Sequence, residues 1–304
     1  MFTLRQLEFA ISVAKYQHFR RAAEECNVSQ SALSLGVAAL EDQLGLQLFE
    51  RNNKQVLITP AGLDIIERAQ SILTDSHDLL HQAKFKNEPL SSSMKIGLIP
   101  TIAPYLLPKV LPKLTSDHPD FHFEICEETS ERLIEKVRSG VIDTAILALP
   151  YPISGLHTFE FWEEDFKAVV GQQSSQFGLP ELLISKLDSE ELMLLGDGHC
   201  LSDQTLSLCQ LQDSESVKRF EHASLNTLIQ MALGSFGVTI VPELALDQLK
   251  IADHERQVLP LSEPGPHRRL AFISRLNYAR TDDVQYLCRS FKESLTKATA
   301  EAKS

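Results

Sequence analysis

The apolar pattern of the chain changes period near Met94. Upstream of it hydrophobic residues recur at helical spacing; downstream, short strand-like runs alternate with helical stretches. One chain therefore has to build a helical module first and an α/β module after it. A length of 304 residues accommodates two or three domains.

In the first module Leu4, Leu7, Ile11 and Ala14 form the stripe of one helix, and Phe19, Ala22, Ala23 and Cys26 mark a second, shorter one. Asn27 and Val28 make a tight turn, Ser29 supplies an N-cap, and Leu33, Val37, Leu40 and Leu44 stripe a third helix that stops at Gly45. Helix, short turn and helix is the plan of a DNA-binding helix-turn-helix, whose later helix enters the major groove by its N-terminal end. Gln30, Ser31 and Ser34 lie on that end. LFERNNKQVLITPAG then reads as two short strands around Asn52 and Asn53, a wing that sets Arg51 and Lys54 near phosphates.

Thr59 and Pro60 open a long helix. Within it Ile65, Ile72 and Leu79 repeat every seven residues, as do Ile66, Leu73 and Leu80. A lone helix cannot bury two such rows, so a partner copy is expected to cover them. The helix is expected to stop near Asn87, with LSSS as a hinge. Beyond it, strands are expected at 95–99, 121–126, 144–149, 166–170, 191–195, 218–222, 237–241, QVLPL and 269–274, with helices near 103–116, 129–139, 224–233 and from about 281. An α/β region of this size suits two lobes with a cleft between them.

The net charge of −12 at first argues against nucleic acid, but its distribution weakens the objection. Residues 1–60 hold six basic residues, among them Arg20, Arg21 and Arg51, against six acidic ones. The acidic excess lies entirely downstream, so a neutral head remains compatible with phosphate contacts. No stretch approaches the roughly 20 apolar residues of a membrane span, and MFTLRQLEFA lacks a secretory start, so no membrane partner and a cytoplasmic location are expected.

The chain has five cysteines at irregular spacing, which is no disulfide framework. Cys200 and Cys209 stand nine positions apart in GDGHCLSDQTLSLC. The glycines and His199 before Cys200 predict an exposed, tuned thiol. If the intervening residues are helical, the sulfurs fall on opposite faces roughly 13 Å apart along the axis, whereas a disulfide needs Cα atoms within about 7 Å. Bonding would then require unwinding, as in a redox switch. On spacing alone, two unrelated cysteines are the favoured reading.

FRRAAEECNVSQSALSLGVAALEDQLGLQLFERNNKQVLITPAG at 19–62, followed by the long helix and the α/β region in this order, resembles the LysR-type transcriptional regulators. IGLIPTIAPYLLP at 96–108, GDGHCLSDQ at 196–204 and Cys209 are similar to the peroxide-sensing branch of that family. The resemblance implies an α/β protein with an N-terminal all-α winged helix-turn-helix at 1–59, a linker dimerisation helix at 60–88 and a hinge at 89–93. A two-lobed, periplasmic-binding-protein-like regulatory domain at 94–304 completes it, lobe 1 about 94–165 and 269–304, lobe 2 about 166–268. It implies that Cys200 reacts with hydrogen peroxide, that Cys209 resolves the product, and that Thr101, Ser130, His199, Asp203 and Arg269 line the pocket. The implied partners are double-stranded promoter DNA and further copies of the chain as a dimer of dimers. RNA polymerase and a thiol reductant such as glutaredoxin or thioredoxin complete the set; no cofactor or metal is implied. Ser130 stands where well-known members have threonine, and GVAALE at 36–41 lacks their usual basic residues.

Other motifs have plainer readings. His77 and His81 share a helix face, but no third ligand is evident, so a solvated or interface pair is expected. Gly234 and Gly237 punctuate a helix-to-strand turn before VTIVP rather than cradle a phosphate. Cys26 and Cys288 lie on apolar faces as core thiols. Glu127 and Glu128 make Cys126 a poor nucleophile. Glu41 and Asp42 read as solvated helix surface. By chemistry Arg268 is as good a pocket cation as Arg269. Two further functions stay open: a regulator responding to a small metabolite between the lobes, and a thiol peroxidase, in which residues 1–88 would have no purpose.

Overall fold

The computed structural model describes residues 1–51, 56–84, 90, 91, 93–211, 217–246 and 257–302. The chain separates into two compact units, a helical N-terminal one and an α/β one.

In the first unit helix α1 (Leu4–Tyr16) opens on a capping box in which Thr3 Oγ1 accepts from Gln6 N and Gln6 Oε1 accepts from Thr3 N at 2.8 Å. Helix α2 (Phe19–Glu25) follows, and a turn with Asn27 at φ 54° leads to α3 (Gln30–Leu44). Ser29 Oγ caps α3 by accepting from Ala32 N at 3.2 Å, and Gly45 ends it in the left-handed region at φ 69°. Strands β1 (Phe49–Arg51) and β2 (Val56–Ile58) pair antiparallel as the wing, whose tip, with Asn52, Asn53 and Lys54, lies outside the described residues.

Helix α4 (Pro60–Lys84) starts where Thr59 Oγ1 accepts from Gly62 N at 2.9 Å. Its Ile66 and Ala69 close the core made by Leu7, Val13, Ala22, Leu33, Val37, Leu40 and Phe49. One expectation changes here. Ile66, with Ile65 and Leu73 beside it, packs on the unit's own core, because α4 lies against α1. Ile72 and Leu79 stay exposed, and the Leu80, His77 and His81 side chains lie outside the described residues. Glu41 is also not simply solvated. Its Oε1 accepts from Leu48 N at 2.7 Å and Phe49 N at 3.1 Å, tying α3 to the start of the wing.

The second unit has two layered lobes. The first is a five-stranded sheet ordered β4-β3-β5-β12-β6, from β3 (Met94–Leu98), β4 (Phe123–Glu127), β5 (Thr144–Leu149), β6 (Leu156–Glu164) and β12 (Arg268–Arg275). β3 runs parallel to β4 and β5, whereas β12 is antiparallel to β5 and β6. Helices α5 (Ala103–Asp117), α6 (Ser130–Arg138) and α10 (Thr281–Ala302) serve this lobe, with α10 against α5 and β6. The other lobe holds β7 (Phe166–Val169), β8 (Met193–Leu195), β9 (Lys218–Phe220), β10 (Thr239–Pro242) and β11 (Val258–Pro260), in a sheet ordered β10-β7-β11 and a parallel β8-β9 pair. Its helices are α7 (Cys200–Leu208), α8 (Leu225–Leu233) and α9 (Glu243–Leu246).

Strand β6 went unread in the sequence. It is an edge strand with a bulge of its own: Leu270 pairs with Trp162 and Ala271 with Glu160, which leaves Phe161 as the extra residue and breaks the alternation of inward and outward residues by which strands are recognised. The two crossings between lobes run side by side, His267 N donating to Glu164 O at 3.1 Å.

Candidate functional site

The turn before Cys200 is dictated by its glycines. Gly198 sits at φ 86°, and a Cβ on Gly196 would stand 2.6 Å from the Glu221 Cα. His199 takes the N-cap position with extended backbone, and Cys200 becomes the first residue of α7. Ser202 Oγ donates to Leu195 O and Thr205 Oγ1 to Leu201 O, so the inner hydroxyls of α7 are satisfied locally. Cys209 caps the other end, its N–H donating to Thr205 O at 2.9 Å. The residues between the cysteines are thus helical, which sets the two thiols on opposite faces roughly 13 Å apart along the axis, and both are free.

Cys200 is buried, 2% exposed, rather than the exposed thiol expected, because α7 packs its first turn inward. Burial pushes its pKa up; the Arg268 guanidinium and the Ser130 hydroxyl oppose that shift, and the Asp203 charge adds to it. The thiol form therefore dominates at neutral pH. Burial likewise pushes Cys209 up to about 11 and lowers His199, keeping that imidazole neutral.

Thr101 and Ser130 are both buried, and the Ser130 hydroxyl acts on the Cys200 thiol. Ser130 begins α6, and Thr101 precedes α5, where its carbonyl accepts from Arg268 Nη2 at 3.3 Å. Asp203 lies in the first turn of α7 with its side chain exposed, acting on Cys200 by charge rather than as a lining group.

Arg269 requires a correction. Its guanidinium is exposed and bonds both carboxylate oxygens of Glu160, at 2.9 and 3.0 Å. Arg268 occupies the inner position, because successive strand residues point to opposite faces. Its Nε donates to Glu164 Oε1 at 2.8 Å, with Nη2 in ion-pair contact with the same oxygen at 2.8 Å, and Glu164 Oε2 accepts from Leu244 N at 2.8 Å. Sequence reasoning left the choice between the two arginines open, since Leu270 to Ile273 are buried on both faces and supply no alternation. It missed Glu164 and Gln204 altogether. A buried cation in want of a counter-charge was the available signal for Glu164; nothing marked Gln204, whose Nε2 donates to Ala148 O at 3.3 Å.

Three polar atoms in this neighbourhood, Thr101 Oγ1, Ser130 Oγ and Arg268 Nη1, are buried without a well-formed hydrogen bond among the described residues. Ser130 Oγ lies toward the Cys200 sulfur without reaching ideal geometry. Buried polar atoms in a folded protein normally have partners, either protein groups or ordered water. Among the described residues no set of side chains is placed to hold a metal ion, and no helix is long and apolar enough to cross a membrane.

In the helical unit Arg20, Arg21, Gln30 and Ser31 are exposed and Ser34 is half-buried. Arg20 pairs with Glu24 at 3.2 Å, which reduces the charge it offers a phosphate. Arg51 ends β1, and its side chain lies outside the described residues.

Comparison with known proteins agrees with this layout. Residues 4–63 match the bacterial regulatory helix-turn-helix protein, lysR family, and residues 87–296 match the LysR substrate binding domain. A hydrogen peroxide-inducible genes activator of Dickeya chrysanthemi is 34% identical over 290 residues, 95% of each chain. The DNA-binding transcriptional dual regulator OxyR of Escherichia coli K12 is 33% identical, covering 90% of this chain and 89% of its own. The HTH-type transcriptional regulator EstR of Acinetobacter baylyi is also 33% identical, over 90% of each. Among solved structures, a full-length OxyR cysteine variant from Pseudomonas aeruginosa superposes with a TM-score of 0.80 at 33% identity, covering 96% of this chain and 95% of that one. An H2O2-bound OxyR mutant of Corynebacterium glutamicum gives 0.64 at 31%, covering 99% and 94%. Helix-turn-helix, linker helix and two-lobed α/β unit, matched in order over most of its length, make this chain a member of the LysR family of DNA-binding transcriptional regulators, similar to OxyR.

Proposed function

We propose that the chain senses hydrogen peroxide through Cys200 and reports it to promoter DNA by reversible disulfide formation with Cys209. The observation that carries this reading is a buried cysteine acted on by the Arg268 guanidinium and the Ser130 hydroxyl, with Thr101 Oγ1 and Arg268 Nη1 buried without a hydrogen bond among the described residues. Two hydroxyls and a guanidinium N–H suit a molecule as small and polar as H2O2 and can stabilise its departing oxygen.

The Cys200 sulfur attacks one peroxide oxygen, the O–O bond breaks, and the other oxygen leaves as water after taking the proton that the Cys200 thiol gives up. The sulfenic acid formed is then attacked by the Cys209 sulfur: the S–S bond forms, the S–O bond breaks and a second water leaves. Because α7 separates the two thiols, the second step requires the helix to unwind, and that rearrangement is the signal. Residues 1–59 would bind DNA, 60–88 pair with another copy through Ile72 and Leu79, and 94–304 sense, in a dimer of dimers that engages RNA polymerase. A reductant of the glutaredoxin or thioredoxin type would restore the thiols, in a cytoplasmic setting.

Titration with H2O2 followed by thiol counting and peptide mass spectrometry tests this. Two thiols should disappear together, with a bridge between residues 200 and 209, and consumption of peroxide should stop after one turnover without added reductant. Absence of that bridge would sink the proposal. A second reading, a LysR regulator answering a small metabolite held between the lobes, draws on the match of residues 87–296 to the LysR substrate binding domain. An unaltered DNA-binding response in Cys200→Ser would favour it.

A further inference from the structure

The outward row of α3 presents an exposed leucine where a LysR-type head meets DNA. From Gln30 to Leu44 the helix holds no Lys or Arg. Its rotation is pinned by Leu33, Val37 and Leu40, each fully buried, and by Gly36, where a Cβ would stand 2.6 Å from the Phe9 ring of α1. At 100° per residue the face opposite that stripe carries Ser31, Leu35 and Asp42. Leu35 is 71% exposed, and Ser31 and Asp42 are exposed on either side of it.

An isolated apolar side chain flanked by polar neighbours is not a protein-docking patch, which would need a contiguous area of several hundred Å². In the major groove, however, one base edge is apolar, the C5-methyl group of thymine. Leu35 lies in the second turn of α3, near the end that enters the groove, whereas Glu41 and Asp42 burden the far end with negative charge that phosphates repel. We infer that Leu35 is a specificity-determining residue that recognises a thymine methyl in the major groove of the operator, so that this head reads sequence partly by apolar contact. The inference rests on α3 being the DNA-reading helix and is independent of the peroxide chemistry.

Duplexes selected from a random pool by the full-length wild-type protein provide the probe. Affinity is measured on the best of them with each thymine replaced singly by deoxyuridine, which deletes only the methyl group. Burial of one methyl-sized group is worth roughly fourfold in an equilibrium constant. At one thymine of each half-site the wild type should lose about that factor, Leu35→Ala should lose it once per half-site on the intact duplex, and in Leu35→Ala the deoxyuridine replacement should cost nothing further. The salt dependence of binding should be the same for both proteins, since no phosphate contact is removed. Additive losses, or a Leu35→Ala protein that binds the selected duplex as the wild type does, overturn the inference. If the wild type enriches no duplex, the assignment of α3 as the reading helix falls and the inference with it; enrichment with insensitivity to every methyl removes the inference alone.

Discussion

Glu164 holds Arg268 by one oxygen, Oε1 accepting from Nε at 2.8 Å and standing 2.8 Å from Nη2, while the buried Nη1 has no hydrogen bond among the described residues. The pair joins the end of β6 to the start of β12, the two places where the chain crosses between lobes. A charge pair with side chains 0% and 2% exposed is costly to split. Arg268→Met should therefore destabilise the protein by about 3–5 kcal/mol in urea unfolding, and adding Glu164→Gln should recover most of that loss. A single variant within about 1 kcal/mol of wild type would contradict a buried, mutually dependent pair.

Arg269 behaves oppositely. Its bond to Glu160 is exposed to solvent and salt, so Arg269→Ala should change stability by less than about 1 kcal/mol and leave the Cys200 alkylation rate unaltered. A rate change there with an unchanged Arg268 variant would reverse the assignment of the two arginines.

The pH dependence of thiol reactivity follows from burial. Cys200 is raised above the ordinary cysteine value and Cys209 to about 11. For a group whose folded pKa is raised, stability is complete below the unfolded value and is lost as pH rises through the folded one. Stability should thus fall from about pH 9 upward, and iodoacetamide labelling of Cys200 should climb with pH without levelling near neutrality. A labelling plateau at or below pH 7 would show a thiolate that the structure does not support.

Cys209→Ser should still allow Cys200 to reach sulfenic acid while removing the bridge. A sulfenate-trapping reagent should label Cys200 of this variant after peroxide treatment, and more persistently than in the wild type. No labelling in either protein would remove Cys200 from the reactive role.

Glu41 supplies two backbone hydrogen bonds to Leu48 and Phe49. Glu41→Ala leaves both N–H groups without that acceptor and should lower the stability of the helical unit by about 1–3 kcal/mol, measured by urea unfolding monitored by circular dichroism. An unchanged midpoint would place the carboxylate in solvent.

Much of the plan was legible because local rules decide it. Ser29 and Gly45 bound α3, and Thr59 and Pro60 start α4, each through a cap or a backbone conformation that depends on neighbouring residues alone. These residues determined by themselves a helix-turn-helix head, a long helix and an alternating region. Tertiary structure decided what local rules leave degenerate. The choice between Arg268 and Arg269 depends on which face of β12 meets Glu164. The destination of Ile66 depends on α1 lying against α4, and the burial of Cys200 depends on strands and helices distant in the chain. Strand β6 was obscured by its own bulge at Phe161, visible only in its pairing with β12. Period and caps are properties of short segments; burial, counter-charge and the facing of a side chain arise only when remote segments pack.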